Sequence, residues 1–301
     1  MSVTNLEQIT RYPKPSVALE LLKPITWFPP MWAFSCGVVS SGMPILQNWW
    51  IVLVGVFLAG PLVCGMSQAA NDWCDRHVDF INEPHRPIPS GRMPGLWGLW
   101  IALAMSLVAI LVGWTLGQWG FYATIFAVIA AWAYSVEPVR LKRSGWLGPG
   151  LVGLCYEGIP WFTGAAIMLQ DLPRTEILIS ALLYAIGAHG IMTLNDFKAL
   201  EGDTKLGIRS LPVTLGPVNA ARAAAIIMVV PQTILVGLLA SWGLNSYAMV
   251  IAALIGGQLL AIRRLLKDPK RLAPWYNATG VLMFVSGMMV CAFGLRNGIS
   301  F

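Results

Sequence analysis

Charge is scarce in this chain. Only 11% of its 301 residues are Asp, Glu, Lys or Arg, while 56% are hydrophobic. That balance excludes an average water-soluble domain and places the chain among membrane proteins. Thiols are few. Cys36, Cys64, Cys74, Cys155 and Cys291 are an odd set, mostly inside apolar runs and without a CxxC. Neither a disulfide framework nor a zinc site is indicated. The first twenty residues lack the apolar core of a cleavable signal peptide, so the N-terminus is expected to be mature.

What is abundant is long apolar sequence. Runs able to span a bilayer fall at 25–43, 49–71, 95–116, 119–136, 147–169, 176–195, 217–241, 244–262 and 275–295. Nine transmembrane helices are therefore expected. Pro29 and Pro30 predict a kink or an interfacial start for the first run. The short Trp-Gly-Leu-Asn turn after the seventh predicts a tight hairpin. The formal net charge of +6 has a topological cause. Of the 20 Lys and Arg, all but Arg174 and Arg296 fall on one predicted side: the N-terminal segment, the connections after even-numbered runs, and the start of run seven. The positive-inside rule puts that side, with residues 1–22, in the cytoplasm and the C-terminus opposite. A nucleic-acid surface is not needed to explain the basic excess.

The second run ends in charge, as NDWCDRHVDFINEPHRPIPSGR from Asn71 to Arg92. Asp72, Asp75 and Asp79 are spaced i, i+3, i+7 and share one helix face over about 10 Å, if the segment stays helical. Three aligned carboxylates repel one another unless cations sit among them. Oxygen ligands without thiols or paired histidines suit Mg²⁺ bridged to phosphates better than zinc. Arg76, Arg86 and Arg92 add charge for the phosphates. His77 and His85 read as solvated loop residues. A second stretch, NDFKALEGDTKLGIRSLP, echoes the first. Asn195-Asp196 repeats Asn71-Asp72, and Asp203 follows Asp196 by seven residues as Asp79 follows Asp72. A third element, YSVEPVRLKRSG, runs from Tyr134 to Gly145.

With these three motifs the chain resembles the UbiA superfamily of intramembrane prenyltransferases. INEPHRPIPSGR and the NDFKxxEGD form are closest to its chlorophyll and bacteriochlorophyll synthase branch, and CYEG at Cys155–Gly158 resembles the bacteriochlorophyll side of it. The resemblance implies an all-α fold: one domain, 1–301, of nine transmembrane helices around a lipid-open cavity capped by cytoplasmic loops. It implies that two acidic motifs face each other and hold Mg²⁺ and a prenyl diphosphate. Asp72, Asp75, Asp79, Asp196 and Asp203 would do so with Asn71 and Asn195. Arg86, Tyr134, Arg140, Lys142, Lys198 and Lys23 would hold the diphosphate. Lys198 has a second reading, as a helix C-terminal cation meeting the dipole. The family's usual second acid is replaced here by Ala199, so that either Glu201 nearby substitutes for it or the site uses fewer ligands.

The implied reaction esterifies bacteriochlorophyllide a with geranylgeranyl or phytyl diphosphate. The implied setting is a bacterial inner, photosynthetic intracytoplasmic membrane, with other pigment-biosynthesis enzymes as partners. A quinone-precursor or haem acceptor is the alternative within the family, and a pigment carrier without chemistry is the alternative outside it. Prenyl transfer needs the leaving diphosphate neutralised and the allylic cation kept from water. A propionate acceptor is already an anion at neutral pH, so no base is required. For the acceptor the candidates are Glu157, His189 and Trp161. His189 lies seven residues before Asp196, on the same face, and reads either as a ligand to a chlorin magnesium or as a packing histidine. Trp161 reads as a residue that stacks on a flat macrocycle or shields a cation, where other Trp residues read mostly as membrane belts.

Overall fold

In a computed structural model residues 12–298 are described, and among them the chain is all helix, with one isolated bridge between Ser144 and Arg209. A short α1 (Pro15–Leu21) precedes α2 (Phe28–Ser40). The continuous helical span α3 runs from Leu46 to Asn82 and includes a π-helical turn at Leu58–Cys64. The helices α4 (Trp97–Thr115) and α5 (Gln118–Ser135) form the next hairpin. The span α6 (Leu147–Leu169) has its own π turn at Leu154–Gly158. Then come α7 (Thr175–Asn195), a 3-10 turn (Asp196–Ala199), and the short α8 (Leu200–Leu206) and α9 (Leu211–Leu215). Three long helices close the chain: α10 (Pro217–Ser241), α11 (Asn245–Leu265) and α12 (Pro269–Asn297).

Each of the nine apolar runs folds as helix, but seven helical spans among the described residues are long and apolar enough to cross a membrane. The two that fall short have separate reasons. The prolines of the first run sit at the start of α2, and its 13 residues reach only about 20 Å at ~1.5 Å each. Gln118, Trp119, Tyr134 and Ser135 make the ends of α5 polar. Residues 1–11 of the expected cytoplasmic segment lie outside the described region.

Burial follows from a solvent that is lipid outside and side chain inside. On α4, Leu103, Leu107 and Leu111 repeat every four residues and stay exposed, the stripe a bilayer covers. The interior holds two apolar clusters that share α2. Ala33, Cys36 and Val39 pack with α7, α10, α11 and α12. Phe34 and Val38, on the opposite face, pack with α1, α3 and α4. Close backbone approach holds α2 to α6. A Cβ at Gly37 would stand 2.8 Å from the Ala165 nitrogen, so only glycine fits that crossing.

Candidate active site

The acidic face of α3 survives folding. The helix runs unbroken through Asn82, and Asp72 and Asp79 are buried near its C-terminal end. Cations from three separate segments converge on it. Lys23 Nζ lies 2.7 Å from Asp72 Oδ1. Arg86 Nη1 lies 2.9 Å from Asp79 Oδ2 and 3.5 Å from Asp72 Oδ1. Arg140 Nη2 lies 2.9 Å from Asp75 Oδ1, and Lys142 Nζ donates to Asp75 Oδ2. Two of these cations are held by unusual backbone. Lys23 has φ of 46° and Arg140 φ of 34°, left-handed values that side chains rarely adopt. Such strain persists where the surroundings over-determine it, as at binding sites.

Burial and charge oppose each other in this cluster. For Arg86, burial disfavours the charged form, but the carboxylates of Asp79 and Asp72 outweigh it and its pKa is raised. For Lys142, burial wins over the attraction of Asp75, and its pKa falls below the usual lysine value. Arg76 and Arg92 go elsewhere. Arg76 covers the Trp73 ring at 4.3 Å, and Arg92 grips Glu20 at 2.6 Å. Among the described residues one carboxylate oxygen of the cluster, Asp72 Oδ2, is buried without a hydrogen-bond partner.

The second motif is built differently. Asn195 closes α7, its side-chain oxygen accepting from Asn277 Nδ2 at 2.7 Å. Asp196 starts the 3-10 turn, and Asp203 sits in α8. Among the described residues neither Asp makes an ion pair with a protein cation, and Lys198 and Glu201 are exposed and equally unpaired. The two motifs share a neighbourhood. Tyr134 feels the charge of Asp75 from one and of Asp196 and Asp203 from the other. The basic loop is tied to the second motif's far end, where Gly145 donates to the Arg209 carbonyl at 3.0 Å. The seven expected metal ligands are not gathered into a ready cage: among the described residues no group of three or more His, Cys, Asp or Glu stands close enough to hold an ion. Asn71 Nδ2 donates to Ser135 Oγ at 3.3 Å, tying α3 to α5.

Below this cluster opens a cavity of about 780 Å³, its mouth included. Asn71 and Tyr134 line one end, Ala59, Ala127 and Val152 the apolar wall. The three acceptor candidates are not in it. Trp161 is fully buried, donates to Ser40 Oγ at 3.1 Å and stacks on Tyr184, leaving no ring face for a macrocycle. His189 has Nε2 at 3.1 Å from the Trp146 carbonyl and Nδ1 at 3.4 Å from Thr193 Oγ1. Both ring nitrogens thus have protein partners, the arrangement that the packing reading expects. Glu157 is buried, with Oε2 unpartnered among the described residues, and does not line this cavity. Tyr156, its neighbour, does line it and, though part of the CYEG motif, was not read as a site residue. Nor was Gln68, whose position four residues before Asp72 puts it on the acidic face.

Comparison with known proteins places this geometry in a family. The model of the UbiA prenyltransferase family matches residues 26–288. "Bacteriochlorophyll synthase 33 kDa chain" of Cereibacter sphaeroides is 62% identical over 284 residues, 94% of each chain. Its namesake from Rhodobacter capsulatus is 59% identical over 98% of this chain and 99% of its own. "Chlorophyll synthase, chloroplastic" of Oryza sativa is 35% identical over 92% of this chain and 76% of its own. Among solved structures, a UbiA homolog from Archaeoglobus fulgidus bound to DMAPP and Mg²⁺ superposes with a TM-score of 0.67 at 18% identity, over 91% of this chain and 98% of its own. That last likeness is one of fold. With the acidic helix face, the converging cations and a family match across most of its length, the chain is a multi-pass membrane protein that belongs to the UbiA prenyltransferase family.

Proposed function

We propose that this chain transfers a prenyl group from geranylgeranyl or phytyl diphosphate to the propionate carboxylate of bacteriochlorophyllide a, the esterification step of bacteriochlorophyll biosynthesis. The observation that carries the reading is the meeting of three aligned carboxylates and four cations above an apolar cavity. The choice of acceptor rests on the bacteriochlorophyll synthases that are 62% and 59% identical to this chain.

The reaction breaks the bond between the allylic carbon and the diphosphate oxygen, and the electron pair leaves with the diphosphate. A carboxylate oxygen of the acceptor forms the new carbon–oxygen bond. Lys23, Arg86, Arg140 and Lys142, which donate to the carboxylates of the first motif, would donate to diphosphate oxygens and stabilise the leaving charge. The alanine-rich wall of the cavity keeps water from the developing cation. Asp72, Asp75, Asp79, Asp196 and Asp203, with Asn71 and Asn195, are the residues that would hold Mg²⁺. The orphaned Asp72 Oδ2 fits that role, since a buried carboxylate oxygen without a donor is costly unless a cation meets it. Bound Mg²⁺ would supply further neutralisation of the leaving diphosphate. The basic residues around the cluster orient this end of the molecule to the cytoplasm, with the C-terminus opposite.

The test incubates membranes containing the protein with bacteriochlorophyllide a, geranylgeranyl diphosphate and Mg²⁺ and follows esterified pigment by chromatography. Ester should form with the wild type and disappear with EDTA or with Asp72→Asn. A well-folded sample that makes no ester would remove the acceptor, and quinone-precursor acceptors would be tried next.

A further inference from the structure

The two π-helical turns line the same cavity. The turn in α3 contributes Ala59, Val63 and Cys64, and the turn in α6 contributes Cys155 and Tyr156. A π turn breaks the regular ladder to re-aim a side chain, and such bulges concentrate at functional sites. These two meet. Cys64 Sγ stands 3.4 Å from Tyr156 Oη, and Gln68 Nε2 donates to the same oxygen at 3.1 Å.

A phenol accepts up to two hydrogen bonds and donates one. The accepting side of Tyr156 is taken by Gln68. The Cys64 thiol, which also reaches the Thr26 carbonyl at 3.3 Å, is a weak partner in either direction. Among the described residues the Tyr156 hydroxyl donates to no oxygen or nitrogen. A strong donor with its proton unspent thus stands in the cavity wall. Two neighbouring polar groups are committed: Ser67 Oγ donates to the Cys64 carbonyl, and Asn71 Nδ2 to Ser135.

Depth says what this donor is for. Gln68 precedes Asp72 by four residues, about one turn or ~6 Å further into the cavity on the same helix face. The cations that suit a diphosphate are all at the level of Asp72, Asp75 and Asp79. A diphosphate held there would set its allylic carbon just beneath, and a carboxylate attacking opposite the leaving group would approach from deeper still. An anion there faces an apolar wall and needs a donor.

We propose that Tyr156 Oη donates a hydrogen bond to the acceptor carboxylate, holding one oxygen while the other attacks, and that Gln68 is the positioning residue that aims the phenol. The inference rests on the prenyl-transfer reading above. One carboxylate oxygen bonds to the allylic carbon, the carbon–diphosphate bond breaks with its pair on the diphosphate, and Tyr156 keeps its proton throughout.

The test uses the full-length protein in detergent or lipid nanodiscs, with bacteriochlorophyllide a and geranylgeranyl diphosphate as probes. Tyr156→Phe keeps the ring and deletes the donor. It should raise the acceptor KM by about ten-fold, the loss of one hydrogen bond to a charged group, and leave the prenyl diphosphate KM unchanged. Gln68→Leu should raise the acceptor KM by a smaller factor, so the outcome does not hang on one variant folding. A fluorescence titration of bacteriochlorophyllide without prenyl diphosphate should weaken in parallel. Wild-type constants for Tyr156→Phe, or a rise confined to the prenyl diphosphate KM, would overturn the proposal. A wild type that forms no ester would refute the reaction instead, and the pigment titration would then decide Tyr156 alone.

Discussion

Asp72 and Asp79 stand seven residues apart on one unbroken helix, whereas Asp196 and Asp203, also seven apart, are separated by the end of α7 and a 3-10 turn. The first pair sits with Asp75 amid Lys23, Arg86, Arg140 and Lys142. The second has no protein cation paired with it among the described residues, and its Asn195 is turned to Asn277. Equal spacing therefore gives unequal electrostatics. One motif is neutralised by the fold. The other keeps unpaired carboxylates, which favour a cation brought from outside.

The strongest way to break this comparison is to neutralise one acid in each motif. Asp72→Asn should lower esterification by roughly 10²–10³-fold and also destabilise the fold by about 3 kcal/mol, since Lys23 and Arg86 lose a buried partner. Asp196→Asn should lower activity comparably yet leave the melting transition within about 0.5 kcal/mol, having no protein cation to strand. An equal loss of stability in both would end the distinction. Next in size, Arg140→Ala should raise the prenyl diphosphate KM by about ten-fold, while Lys198→Ala, exposed and unpaired, should change it by less than about two-fold. Steady-state kinetics with the acceptor saturating would read both.

Smaller again is the tie between the basic loop and the second motif. A Cβ at Gly145 would stand 2.6 Å from the Arg209 carbonyl oxygen. Gly145→Ala should cost about 1–3 kcal/mol by crowding and loosen Arg140 from Asp75, read as a lower melting temperature with a raised prenyl diphosphate KM. The smallest effect lies at the rim. Arg92 lowers the pKa of Glu20 below its ordinary 4.5, chiefly by a direct hydrogen bond. That stabilisation is present above pH 4.5 and is lost as pH falls through the lowered value. Both side chains are nearly half exposed, so Glu20→Gln should lose less than about 1 kcal/mol at pH 7 and nothing further in acid.

Much of this was legible beforehand. The first acidic face needed only the 3.6-residue period, and the apolar runs needed only length. The count of spans was less secure, because α2 and α5 are helices whose length or polar ends fall short of a bilayer's demand. Residue type misled where a polar or aromatic group was satisfied by packing. His189 found a carbonyl and a hydroxyl, and Trp161 found Ser40 and Tyr184. Gln68 was within reach of the same periodicity that marked Asp72. Tyr156 was not, because a π turn shifts the face on which a residue appears.

The sequence by itself determined a helical membrane chain and three carboxylates on one stripe, since each depends on neighbours a few residues apart. Tertiary structure decided which cation meets which acid and which phenol meets which amide. Lys23 reaches Asp72 across 49 positions, Arg140 reaches Asp75 across 65, and Gln68 reaches Tyr156 across 88. Periodicity fixes the direction of a side chain on its own helix. Only the packing of one helix on another fixes what that side chain finds there.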